Sequence, residues 1–180
     1  MNIVFGIMLA AIFATTATEL KPGDKAPNFK AESTDGTHIS LHDYIGKSNV
    51  VLYFYPEDMT KGCTIEACKF RDENAQFKAA NTVILGVSLD SRAKHQEFTK
   101  NDSLNFPLLV DSDSIICRAY GVPVSFNKYP ERWTFLIGKD GTIVHVYKNV
   151  DPRTHSLTLL QDIWTYNKSQ KPSRGSGGIH

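Results

Sequence analysis

The chain has 180 residues, 41% of them hydrophobic, with 20 Lys and Arg against 19 Asp and Glu for a net charge of +1. That length holds one domain with a substantial core and is short for two. The balanced charge gives no electrostatic case for nucleic acid or an anionic membrane surface, and three cysteines with histidines in no ligand spacing fit neither a disulfide-stapled scaffold nor a zinc site.

In chain order, Ile3 to Ala14 is apolar and leads into the small-residue stretch Ala14 to Thr18. This reads as a secretory signal over residues 1–18, too short to span a bilayer, with the α-amino group as the only charge ahead of it. The mature protein is then expected outside the cytosol, with no stable membrane insertion. Asn28 to Thr34 and Thr37 to Leu41 alternate around the turn dipeptide Asp35-Gly36 and predict a β-hairpin, followed by a short segment from Leu41 to Ile45. His38 and His42 read as a polar loop pair. Asn49 to Tyr55 is a continuous apolar run, suited to a strand covered on both faces, and Pro56 ends it. Apolar residues at helical spacing predict a helix from Gly62 or Cys63 to Ala80. Thr82 to Leu89 predicts a second buried strand, and Ser91 an N-cap for a helix over 92–101. A short strand (106–110), a short helix (113–120), a second hairpin (132–137 and 142–147) around Asp140-Gly141, and a helix over 151–164 complete a domain spanning 19–167. The Gly/Ser-rich residues 168–180 predict a disordered tail. There is no internal repeat.

One stretch organises the rest. Cys63 falls in the first turn of the predicted helix, where free amides and the positive end of the helix dipole favour a thiolate over a thiol. Thr60, three residues earlier, brings a hydroxyl near the sulfur or a bound oxygen, and Pro56 stiffens the approach without an N–H to compete. Cys68 lies five residues on, on an apolar helical face that also suits plain packing. Cys117, in Ile115 to Tyr120, reads as a buried structural thiol. Arg132, before Trp-Thr-Phe-Leu-Ile137, reads by itself as a solvated charge at a strand start.

Pro56, Thr60 and Cys63 in the spacing P-x-x-x-T-x-x-C resemble the active-site motif of the peroxiredoxins. The longer run from Tyr53 to Asp72 resembles their Q-type branch, the bacterioferritin-comigratory proteins, with Cys68 in place of that branch's second cysteine. The likeness extends over residues 20–165. It departs at Lys61, where the branch usually has proline, and at Gly138, where an aspartate is common. The resemblance implies an α/β thioredoxin-like fold, a central mixed sheet flanked by helices, with the N-terminal hairpin as an extension. It also implies a thiol peroxidase. Cys63 would be oxidised to a sulfenic acid by hydrogen peroxide or a small organic hydroperoxide, and Cys68 would resolve it as a disulfide. Arg132 would reach the sulfur, with Arg71 the lesser alternative. A thioredoxin-like protein would be the reductant; no metal or other cofactor is implied, and a monomer is expected. Two other classes compete. A secreted copper-binding assembly factor of this fold would want C-x-x-x-C and a distal histidine, and a protein-disulfide oxidoreductase would want C-x-x-C at the helix start.

Overall fold

The computed structural model describes residues 19–170. The signal-like segment 1–18 and residues 171–180 of the expected tail lie outside the described residues. Five strands form the central sheet: β3 (Asn49–Phe54), β4 (Thr82–Ser88), β5 (Leu108–Val110), β8 (Thr134–Ile137) and β9 (Ile143–Tyr147), in the order β5-β4-β3-β8-β9. β3, β4 and β5 run parallel, whereas β8 is antiparallel to β3 and to β9. The expected mixed sheet is therefore present. A two-stranded antiparallel hairpin, β1 (Lys30–Glu32) and β2 (His38–Ser40), precedes it, followed by a 3-10 turn at Leu41–Asp43.

All six residues of β3 are buried, and they divide by parity. Val50, Leu52 and Phe54 face a cluster with Phe29, Leu41 and the short helix α3 (Ile115–Ala119). Val51, Tyr53 and the following Tyr55 face the long helix α1 (Lys61–Ala79), Phe98 of α2 (Arg92–Asn101), and Leu159, Leu160 and Ile163 of α4 (His155–Ser169). The continuous apolar run is thus the centre of a three-layer molecule. Gly86 of β4 makes one close approach possible: a Cβ there would sit 2.8 Å from the Tyr53 hydroxyl and 2.7 Å from Leu108 Cδ2.

Several boundaries differ from expectation. α1 begins at Lys61, with Thr60 as its N-cap residue. Arg132 does not begin a strand. The Glu131 N–H donates to the Pro123 carbonyl and the Trp133 N–H to the Glu131 carbonyl, a tight kink that holds Arg132 outside the ladder. β5 starts at Leu108 because Pro107 has no N–H to donate. α3 starts at Ile115; the Asp111 carboxylate takes the Ile116 and Cys117 amides, both at 2.9 Å. α4 starts at His155 rather than 151, since Asp151 precedes Pro152 and is biased out of the helical region. It also runs on to Ser169, into the expected tail, because Asn167 accepts from Asn49 Nδ2 at 3.0 Å and donates to the Ala80 carbonyl at 2.9 Å. A small hairpin, β6 (Val124–Ser125) and β7 (Tyr129–Pro130), was not expected. At Gly138, the departure from the Q-type pattern has a packing counterpart: a Cβ there would lie 2.3 Å from the Tyr166 hydroxyl of α4.

Candidate active site

β3 delivers the chain to the loop 55–60, and that loop turns it into α1. The loop is held from below. Buried Asp58 accepts from the Tyr55 hydroxyl at 2.6 Å and lies 2.7 Å from His95 Nδ1, while its amide donates to Asp90 at 2.8 Å. Lys94 adds contacts to Glu57 at 2.7 Å and Asp90 at 2.8 Å. α2 therefore fastens the segment that carries Pro56 and Thr60.

The first helical bond of α1 runs from the Thr64 N–H to the Thr60 carbonyl, 2.8 Å, so the amides of Lys61, Gly62 and Cys63 have no acceptor within the helix. Cys63 is a free thiol, 2% exposed, at that N-terminus. Arg132 Nη2 donates to Cys63 Sγ at 3.2 Å. Arg132 Nη1 donates to Glu66 Oε2, one helical turn further along α1. One guanidinium thus spans a buried carboxylate and the sulfur, a use of its fork that a point charge cannot copy.

Sequence reasoning missed Glu66. Its signal was the spacing: three residues after Cys63, on the same helical face, a glutamate among apolar neighbours. Burial pushes its carboxyl up to about 7, against the pull of Arg132 in the other direction. Glu66 Oε1 and the Tyr53 hydroxyl are buried without a hydrogen-bond partner among the described residues. Burial, with Glu66 and Cys63 nearby, holds the Tyr53 hydroxyl well above its ordinary value, so it stays a neutral donor.

Of the other expected residues, Thr60 lies at the helix start, but its hydroxyl donates to the Glu57 carbonyl at 3.0 Å rather than to the sulfur. Pro56 sits half-buried at the head of the loop. Cys68 is on a different side of α1, with its thiol 3.7 Å from Asp102 Oδ1 at the end of α2, and is free and partly exposed. Burial and Asp102 raise that thiol's pKa, against Arg71. Arg71 itself binds Asp72 and the Asp102 carbonyl and does not face Cys63. Cys117 is fully buried, its thiol pushed up by burial and by Asp111. Beside the helix start, Lys61, Gly62, Ile65, Asp151, Pro152 and Arg153 line an open cleft of about 300 Å³. Among the described residues no group of three or more His, Cys, Asp or Glu is placed to hold a metal ion, and no helix is long and apolar enough to cross a membrane.

A parallel strand that hands a free, buried cysteine to a helix N-terminus opposite a guanidinium defines a thiol-dependent redox enzyme on a thioredoxin-like sheet. Comparison with known proteins narrows the class. Residues 22–146 match the AhpC/TSA family. The chain is 42% identical over 147 residues to Peroxiredoxin Bcp of Bacillus subtilis, covering 78% of this chain and 93% of the relative. It is 39% identical over 150 residues to the chloroplastic Peroxiredoxin Q of Oryza sativa, covering 81% and 69%. Among solved structures, peroxidoxin BcpB of Mycobacterium tuberculosis superposes with a TM-score of 0.77 at 30% identity, covering 82% of this chain and 98% of that one. The bacterioferritin comigratory protein of Xanthomonas campestris, solved in complexes that concern its alkyl peroxide reduction activity, has a TM-score of 0.72 at 31% identity, covering 77% and 92%. The chain belongs to the AhpC/TSA family, among the peroxiredoxins of the Bcp and Q type.

Proposed function

We propose that the protein is a thiol peroxidase acting on hydrogen peroxide and small organic hydroperoxides through Cys63. The observation that carries this reading is the 3.2 Å approach of Arg132 Nη2 to Cys63 Sγ at a helix N-terminus. The thiolate attacks the terminal peroxide oxygen, the O–O bond breaks, and the leaving oxygen takes a proton to become water or alcohol. Sulfur loses two electrons and becomes a sulfenic acid. Arg132 and the free amides of Lys61, Gly62 and Cys63 offset the charge on the leaving oxygen; the Thr60 hydroxyl, turned from Glu57, and the ring of Pro56 confine the O–O bond.

Cys68 then attacks the sulfenic sulfur, water leaves, and a Cys63–Cys68 disulfide remains. Its partial exposure and its place on the same helix support that role. A dithiol protein of the thioredoxin type returns two electrons and two protons. The alternatives of copper carrier and disulfide oxidoreductase lose their support, because the second thiol lies neither three nor four residues after the first. Since both thiols are on one chain, the cycle needs no second subunit, and we read the enzyme as a monomer. The apolar run in residues 3–14 and the small residues after it support export with removal of 1–18. N-terminal sequencing of the mature protein tests this, and a retained Met1 would overturn it.

The peroxidase reading is tested by stopped-flow oxidation of the reduced protein. Wild type should consume peroxide in a second-order reaction, and Cys63→Ser should not, since a hydroxyl supplies no thiolate. Turnover by Cys63→Ser near the wild-type rate would end the reading.

A further inference from the structure

Cys68, Arg71 and Asn74 follow one another at three-residue spacing on α1, and each is tied to the turn that leaves α2. The Cys68 thiol donates to Asp102 Oδ1 at 3.7 Å, and Arg71 Nη1 donates to the Asp102 carbonyl. Asn74 Nδ2 donates to the Asn105 carbonyl at 3.0 Å and to Asn105 Oδ1 at 2.7 Å, and Asn105 Nδ2 returns a bond to the Arg71 carbonyl at 3.1 Å. The turn itself is fixed. Asp102 caps α2, Ser103 is left-handed at φ 51°, and the N–H of buried Leu104 donates to the Thr99 carbonyl at 2.9 Å. Asp102 is thus held where its carboxylate meets the Cys68 thiol.

An ionised carboxylate only accepts, so this contact is made by Cys68 as a neutral thiol. Arg71 is paired with the Asp72 carboxylate and the Asp102 carbonyl, which leaves the Asp102 carboxylate to the thiol. Burial raises the Cys68 thiol pKa, Arg71 opposes the rise, and Asp102 and Asp72 add to it. Resolution consumes the thiol's proton. Cys68 Sγ bonds to Cys63 Sγ, the S–O bond of the sulfenic acid breaks, and the departing hydroxide takes up that proton as water. The attacking species is the thiolate, so the rate follows the thiolate fraction. The hydrogen bond from Cys68 to Asp102 is therefore lost in this step whatever path α1 takes, and the carboxylate opposes the thiolate that has to form.

We propose that Asp102 is a positioning residue for resolution: it keeps Cys68 as a neutral thiol at the end of α2 and so sets the lifetime of the Cys63 sulfenic acid. This rests on the peroxidase reading above, with Cys68 as the resolving thiol. The consequence is a response to peroxide load. While the sulfenic acid persists, a second peroxide oxidises it to the sulfinic acid and takes that molecule out of the cycle. By delaying the disulfide, Asp102 makes the enzyme more readily inactivated at high peroxide.

The test mixes the reduced full-length enzyme with peroxide in a stopped-flow instrument. A fast phase that depends on peroxide reports sulfenic acid formation, and a slower first-order phase reports the disulfide. Asp102→Asn keeps an acceptor oxygen for the thiol and the backbone carbonyl for Arg71, and removes only the charge. It should speed the slow phase by about threefold, the scale of one unit charge near 4 Å in a watery setting, partly offset by the weaker nucleophilicity of a more acidic thiol. The fast phase should keep its wild-type rate. The slow phase, which rises with pH as Cys68 ionises, should rise at lower pH in Asp102→Asn, a shift that mere loosening of α1 would not produce. Mass spectrometry after turnover at high peroxide should find less sulfinic acid at Cys63 in the variant. A slow phase at the wild-type rate overturns the proposal; a slower one does too, and makes Asp102 the base that takes the thiol proton. Peptide mapping that finds no Cys63–Cys68 bond in the oxidised wild type also overturns it. Absence of the fast phase in wild type would instead remove the peroxidase reading, a result read separately from the slow phase.

Discussion

Arg132 does two things with one guanidinium, and the geometry ranks its possible replacements. Nη1 is taken by Glu66 and Nη2 faces Cys63 Sγ at 3.2 Å. A lysine keeps the charge but offers a single ammonium on a flexible stem, which the buried Glu66 carboxylate would draw away from the sulfur. Arg132→Lys should therefore slow the second-order reaction with peroxide by about a hundredfold, the scale of losing one preorganised donor. Glu66→Gln keeps a hydrogen-bond acceptor for Arg132 but loses the ion pair, and a loss of about tenfold is expected from looser positioning. Stopped-flow oxidation of the reduced variants measures both; a wild-type rate in Arg132→Lys would take Arg132 out of the chemistry.

At the scale of the element, α1 cannot hold the resolved disulfide as it stands. Residues five apart on an α-helix are rotated by about 140° and separated by about 8.6 Å between Cα atoms, whereas a disulfide spans at most about 7 Å. Cys63 lies in the buried cluster that includes Tyr53 and Tyr55, while Cys68 faces Asp102 at the end of α2. Bond formation must unwind the first turns of α1. Asn74, which donates to Asn105 Oδ1 at 2.7 Å, anchors the helix further along. The expected outcome is faster hydrogen exchange across residues 60–72 in the disulfide form than in the reduced form. Cys68→Ser should trap the sulfenate with reduced-like protection. Equal protection in both states, with the disulfide verified, would show that α1 need not open.

For the molecule as a whole, two buried groups pull stability in opposite directions with pH. Burial raises Glu66 from 4.5 to about 7, so its contribution is fully present below 4.5 and is lost as pH rises through about 7. Burial, with Arg132 nearby, lowers His155 from 6.5 to about 4, so its contribution is present above 6.5 and is lost as pH falls through about 4. His155 Nε2 lies 2.9 Å from Thr134 Oγ1, between the rings of Phe70 and Tyr147. Between pH 4.5 and 6.5 the two effects therefore oppose each other. Relative to wild type, Glu66→Gln should gain stability as pH rises from 4.5 towards 7, and His155→Gln should gain it as pH falls from 6.5 towards 4. Urea unfolding across that range reads both; parallel curves for wild type and variants would contradict the assignment.

The sheet, its helices and the position of Cys63 were legible in the sequence because each depends on local signals. Period and continuity marked β3 and β4, Ser91 marked the start of α2, and P-x-x-x-T-x-x-C placed a thiol in the first turn of a helix. A boundary that depends on distant partners was not legible: Asn49 and Ala80 hold the last turn of α4. The same division runs through the site. Arg132 was expected at the sulfur by resemblance alone, and what brings it there is a kink closed onto Pro123, nine residues earlier by neither helical nor strand spacing. Glu66 was visible as a letter but not as a buried ion-pair partner, and the Thr60 hydroxyl was expected at the sulfur but is turned to Glu57. Sequence determined where a thiol stands at the start of α1 and a second thiol along it, because residue type and helix position are local properties. Tertiary structure alone decided which charges face that sulfur, because burial and contact across the fold are set by chain segments tens of residues apart.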